Sequence, residues 1–243
     1  SLGRFAKALE PSGFHSQAFL ACYGMAECSL AISFAPLDVG IEVDRVETDQ
    51  LSNSRRAKPA DANAIDGKQA RMSKFVNCGV PLPGYEVEIR NDNGSILGDR
   101  ESGTIFVRGA SIMKGYFNDS TLTQDVLSED GWLNTGDIGY WINDSLVIIG
   151  RSKDMIIING RNIWPQDLEY LAEQQPEVRP GDSSAFAVSG PDGDEVAIMV
   201  VQCRETISQK RDDLIHRLGS RIQKELSIPC FIELIPPRTL PRT

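Results

Sequence analysis

The chain has 243 residues, a formal net charge of -9, 41% hydrophobic and 24% charged residues. These values suit one large or two smaller soluble domains and exclude a globally disordered chain. The acidic balance argues against a nucleic-acid or membrane-surface binder, and no apolar run approaches the roughly 20 residues needed to cross a bilayer.

The N-terminal SLGRFAKALEPSG has no continuous apolar core and does not read as a signal peptide. Residues 21–34, ACYGMAECSLAISF, are apolar except for Glu27. A lone carboxylate there calls for a reason, because burying one unpaired is costly. Residues 48–73 are polar and without periodicity, the pattern of a loop or mobile insertion. Tyr85, Val87 and Ile89 alternate with charged residues, as in a half-buried strand. Asn91-Asp92-Asn93-Gly94 is turn chemistry. Strands are expected over 104–107, 146–149 and 155–158, with a short helix over 118–127. A charged turn, Gly150 to Asp154, separates the last two strands.

Beyond that turn the class becomes mixed α/β. Pro165 suits the first position of a helix, with Leu168, Leu171 and Ala172 facing inward. Strands are expected over 185–188 and 196–201. Thr206-x-x-Gln209 has the spacing of a capping box. The helix it opens would bury Leu214, Ile215, Leu218, Ile222 and Leu226, and Pro229 would end it. A domain boundary is therefore expected near 150–153, with a strand-rich part over 1–150 and a compact α/β part over 151–243. The five cysteines include no CxxC pair and read as reduced residues of a cytoplasmic protein. His15 and His216 are the only histidines, too few for a multi-histidine metal site.

Three segments stand out for chemistry: Tyr23-Gly24-Met25-Ala26-Glu27, Gly131-Trp132-Leu133-Asn134-Thr135-Gly136-Asp137, and Gly150-Arg151-Ser152-Lys153-Asp154 with the Ile156–Pro165 run behind it. A fourth, Gly109-Ala110-Ser111-Ile112-Met113-Lys114-Gly115-Tyr116-Phe117-Asn118, lies between them. On residue chemistry alone, Tyr23 is an aromatic face or a packed core ring. Glu27 suits a hard cation or an exposed surface. Gly24 permits close backbone approach. Asp137 is an acceptor for two hydroxyls or a turn cap. Arg151 is a charged donor fork or part of a solvated turn.

In order and spacing these motifs resemble the adenylate-forming superfamily of acyl-CoA synthetases, luciferases and adenylation domains. Val76-Asn77-Cys78-Gly79 and Trp164-Pro165-Gln166-Asp167-Leu168-Glu169 are most similar to its fatty-acyl-AMP ligases. Ile163-Trp164 departs from that branch, which often has His-Tyr there. The resemblance implies an α/β enzyme that joins a fatty acid to AMP from ATP with Mg2+. It then hands the acyl group to an acyl carrier protein or, in the sister class, to CoA. It implies that Tyr23 stacks on adenine and Gly24 lies close to the nucleotide. Asp137 would bind ribose, Arg151 the ribose or a phosphate, Glu27 would hold the metal, and Lys153 would be a hinge. It also implies that residues 48–73 are the branch's insertion, thought to restrain the small domain. The phosphate-binding loop rich in Ser, Thr and Gly is not found, and the chain stops at Leu240-Pro241-Arg242-Thr243, before the expected catalytic lysine. The expectation is a C-terminal fragment, itself inactive, holding the end of the large domain and most of the small one. A non-catalytic binding module of the same fold is the alternative from another class.

Overall fold

Alternating apolar residues and paired glycine-rich turns decide most of what the chain builds. The structure, a computed structural model, describes residues 2–60, 71–190 and 195–241. The chain divides into two units, Ser1–Ser152 and Lys153–Thr243.

The first unit opens with helix α1 (Leu2–Leu9), none of whose residues is buried. Strands β1 (Cys22–Gly24) and β2 (Ala31–Phe34) pair antiparallel. Next come β3 (Val43–Glu47), α2 (Thr48–Ser54) and β4 (Met72–Val76), with β3 and β4 antiparallel in register Val43↔Val76 to Glu47↔Met72. The expectation of one loop over 48–73 is corrected at both ends. Thr48 and Ser73 are buried, and their hydroxyls bond to each other at 2.8 Å. The helix and the strand are thus stitched together by polar groups that a hydropathy pattern does not register. The middle of that stretch, 61–70, lies outside the described residues.

Strand β5 (Val80–Pro81) joins β2. A four-stranded antiparallel sheet follows in the order β6 (Tyr85–Arg90), β7 (Gly103–Gly109), β8 (Leu133–Ile142), β9 (Ser145–Arg151). Helix α3 (Ser120–Val126) lies between β7 and β8 in the chain, and Asp119 caps it. Tyr23, Ile32, Ile89, Ile105 and Leu146 share this unit's core.

The second unit begins with a hairpin of β10 (Ile156–Ile158) and β11 (Arg161–Ile163). Asn159 and Gly160 turn it with φ of 53° and 72°, the two positive values that a two-residue turn of matching twist requires. Helix α4 (Pro165–Glu173) starts at the proline and buries Leu168, Leu171 and Ala172. Strands β12 (Ser183–Ser189) and β13 (Glu195–Gln202) are antiparallel, while β13 and β14 (Cys230–Ile235) are parallel. A parallel pair needs a crossover, supplied by α5 (Ser208–Leu226). Leu214, Leu218, Ile222 and Leu226 form its buried stripe. Ile215 is only partly buried.

Two details of α5 differ from expectation. Its N-cap is Ile207 without a side-chain cap. Glu205 Oε1 instead accepts from the N–H groups of Thr206 and Ile207, each at 3.0 Å, so a carboxylate just upstream fixes the entry to the helix. The helix also stops before Pro229, at Ser227 with φ of 56°. Among the described residues, no helix is long and apolar enough to cross a membrane.

Candidate functional site

Asp137 lies on β8 directly opposite Arg151 of β9, and the register shifts just after this pair, between Ile138 and Gly139. The shift needs Gly139, where an added Cβ would fall 2.6 Å from the Val147 carbonyl oxygen. Asp137 is 7% exposed. Its Oδ2 accepts from the Tyr23 hydroxyl at 2.6 Å and its Oδ1 from Arg151 Nε at 3.2 Å. Its own N–H donates to Thr135 Oγ1 at 3.1 Å, and Thr135 Oγ1 donates to the Ile105 carbonyl at 2.8 Å. The Gly136 N–H donates to Asn134 Oδ1 at 3.0 Å. The Asn-Thr-Gly-Asp run is therefore a bracket of side-chain-to-backbone bonds that fixes one carboxylate. Each carboxylate oxygen has two acceptor sites. These bonds use one site on each oxygen, which leaves one per oxygen by lone-pair count.

Tyr23 is 8% exposed. Burial first, and then the Asp137 charge and hydrogen bond, push its phenol well above the usual range, so it stays a donor. Little of the ring is exposed in this structure, and its hydroxyl is committed to Asp137. Gly24 has a second reason to be glycine. A Cβ there would sit 1.8 Å from the Leu30 carbonyl oxygen and 2.7 Å from Ala31 Cα. The close backbone approach that demands glycine is that of the chain's own next strand.

Glu27 sits in a single 3-10 turn, Ala26–Cys28, and is half-buried. Its Oε1 accepts from the Tyr116 hydroxyl at 2.9 Å. Partial burial and then the bond to Glu27 raise the Tyr116 phenol, while the charge of Arg151 acts the other way. Tyr116 stands in the segment Gly109–Asn118 that the sequence singles out, but it is assigned no role there. Its link to Glu27 spans 89 positions of chain. Arg151 is 63% exposed at its side chain, so most of the guanidinium remains free to meet an anion or hydroxyl. Lys153 is exposed, in the turn Ser152–Asp154, and is the first residue of the second unit. All five cysteines are free thiols. Cys28 and Cys78 are raised to about 11, mainly by burial, which leaves them protonated packing residues.

The donor set can be tested against the groups expected to bind. Among the described residues, no three His, Cys, Asp or Glu gather around one point. An all-protein metal cage is therefore not offered there. Magnesium commonly takes one or two carboxylates together with substrate phosphates and water, and Glu27 fits that mode. Asp137 with Arg151 fits a vicinal diol such as ribose, since acceptor sites and a donor fork lie side by side.

Residues 2–117 match the family model of AMP-binding enzymes. A Caulobacter vibrioides protein named as an acyl-CoA synthetase is 40% identical over 245 residues, covering 100% of this chain and 41% of the relative. The long-chain-fatty-acid–AMP ligase FadD32 of Mycobacterium marinum is 34% identical over 208 residues, covering 77% of this chain and 32% of the relative. A solved structure from a study of fatty acyl-adenylate ligases of E. coli and L. pneumophila superposes with a TM-score of 0.87 at 42% identity. It covers 100% of this chain and 42% of that one. The chain thus spans about two fifths of the length of the first relatives it matches.

Proposed function

The chain belongs to the adenylate-forming enzymes of the acyl-CoA synthetase superfamily, and on that premise we propose that the protein carrying it activates a fatty acid as acyl-AMP for transfer to a carrier-protein thiol. In the reaction, a carboxylate oxygen of the fatty acid attacks the α-phosphorus of ATP. The new O–P bond forms as the bond to the β-phosphate bridge breaks, and pyrophosphate leaves. Little covalent work falls to the protein, so catalysis is positioning and charge stabilisation.

The observation that carries the proposal is the Asp137 carboxylate, fixed by Tyr23 and Arg151 with acceptor sites to spare. Asp137 holds the ribose hydroxyls, and Arg151 adds donors to the same sugar or to a phosphate oxygen. Tyr23 keeps Asp137 aimed, because its hydroxyl donates to one carboxylate oxygen. Glu27 is the protein ligand for magnesium, which when bound offsets charge on the phosphate oxygens. Lys153 is the hinge between half-reactions, Ser1–Ser152 the end of the large domain and Lys153–Thr243 most of the small one. Five free thiols support a cytosolic setting.

Transfer to a carrier protein is favoured by the stretch 48–73 and by the likeness to fatty-acid–AMP ligases. Transfer to CoA is the second reading, favoured by the name of the Caulobacter relative. Exchange of labelled pyrophosphate into ATP, measured across medium and long fatty acids on the enzyme carrying this chain, tests the first step. Acid-dependent exchange is expected, with later transfer to a phosphopantetheine thiol of a carrier protein and none to CoA. Absence of exchange with every acid would instead support a non-catalytic binding module.

A further inference from the structure

Glu27 is held at two points, and both grips come from the segment 109–119. Its backbone carbonyl accepts from the Met113 N–H at 2.7 Å, and its carboxylate accepts from the Tyr116 hydroxyl at 2.9 Å. The proposed chemistry gives Tyr116 no task, yet the local chain is built to fix it. Gly115 has φ of 149°, and a Cβ there would press on Thr123 at 2.9 Å and 3.0 Å. The Tyr116 N–H donates to Thr123 Oγ1 at 2.9 Å, which donates to the Asp119 carbonyl at 2.7 Å. Asp119 Oδ1 caps α3 by accepting from the Leu122 N–H at 2.9 Å. Helix α3 therefore anchors the backbone from which the phenol reaches.

A docking role alone does not account for the phenol's bond, because the Met113 N–H already ties this segment to the Glu27 turn. The hydroxyl acts on the one part of Glu27 that the backbone cannot control, the end of a flexible side chain. Freezing such a side chain costs up to roughly 2 kcal/mol of rotamer entropy. A bond made beforehand removes that cost from the moment of ligand binding. It occupies one acceptor site on Oε1 and leaves Oε2 to a cation.

We infer that Tyr116 is a positioning residue, whose hydroxyl fixes the Glu27 carboxylate for a divalent cation held with the substrate's phosphates. The inference rests on the metal role proposed for Glu27. The test compares Tyr116→Phe, Glu27→Gln and the double variant in the enzyme carrying this chain. ATP affinity is measured by calorimetry with magnesium and with chelator, alongside the magnesium concentration that half-saturates pyrophosphate exchange. Y116F is expected to raise that concentration about tenfold, the scale of lost outer-sphere support. ATP affinity in chelator and the thermal midpoint should stay unchanged, and the double variant should be no worse than E27Q. A shift in E27Q with none in Y116F overturns the inference and leaves the metal role of Glu27 standing. So does a double variant whose losses multiply. An E27Q enzyme with unchanged magnesium dependence removes that role and the inference with it.

Discussion

At the scale of single residues, the contact between Tyr23 and Asp137 decides how each should behave when removed. Asp137→Ala takes away the ribose acceptors and leaves a buried phenol without its partner. The first loss is worth roughly 1.5–3 kcal/mol, since the acceptor is charged, and the second roughly 1–3 kcal/mol of stability. D137A should therefore weaken AMP binding about tenfold or more and also lower the urea midpoint of the first unit. Tyr23→Phe keeps both carboxylate oxygens and should weaken AMP binding less than D137A does. Calorimetry with AMP and urea unfolding check both. A larger affinity loss in Y23F than in D137A would mean that the tyrosine meets the nucleotide itself. The candidates Tyr23, Glu27, Asp137 and Arg151 were singled out because their motifs, each weak alone, together resemble a family in order and spacing. Their pairing was not legible. Tyr23 and Asp137 stand 114 positions apart, and no local spacing encodes a contact made by strands meeting across a core. Tyr116 escaped for the same reason, as did the close approach of the Leu30 carbonyl oxygen to Gly24, which follows from the register shift in β1.

At the scale of elements, periodicity carried the reading where one face of an element is buried and failed where polar pairs do the stitching. The stripe Leu214, Leu218, Ile222, Leu226 was visible at helical spacing, as was the alternation of Tyr85, Val87 and Ile89. The helix α2 and the strand β4 were not. Their buried residues include Thr48 and Ser73, which a hydrophobic pattern scores as loop. The network around them is ionic as well: Asp44 accepts from Tyr140 at 2.8 Å and from Arg100 at 3.1 Å. Helix α4 allows a prediction about pH. Glu169 Oε1 accepts from the Ala185 N–H at 3.0 Å, tying α4 to β12. Burial raises its carboxyl, the Ala185 N–H opposes this, and the Glu173 charge adds to it. A carboxyl raised on folding contributes most below its unfolded value of about 4.3. That contribution is lost as pH climbs through the folded value. Glu169→Gln keeps an oxygen acceptor for Ala185 and abolishes the buried charge. The variant should match or exceed the parent in stability at pH 7.5. It should lose that advantage near pH 4.5. Urea unfolding at the two values measures it, and a variant less stable than the parent at pH 7.5 would show that the carboxylate form is the one the fold favours.

At the scale of the whole molecule, the chain carries two cores with no residue in common. One spans Tyr23 to Leu146 in the first unit, and the other spans Ile156 to Leu234 in the second. The division falls between Ser152 and Lys153, inside the short turn Ser152–Asp154. Residues in that turn are exposed, so their own side chains belong to neither core. A hinge needs such a place, because a few residues must absorb the whole change in φ and ψ. Proline fixes φ near -65°, a value that suits a 3-10 turn. It also pushes the residue before it, Ser152, out of the α region. Lys153→Pro should therefore restrict rotation at Lys153 while reshaping the turn at Ser152. The proposed two-step chemistry then makes a specific demand: formation of acyl-AMP and transfer of the acyl group should be affected unequally, with one step falling by an order of magnitude or more relative to the other. Lys153→Ala, which keeps φ free, should leave the ratio of the two steps near that of the parent. Single-turnover measurements separate the steps, and circular dichroism monitors the fold. Equal loss of both steps in K153P with an altered spectrum would indicate misfolding of the turn. Equal retention would place the hinge at another residue of the boundary.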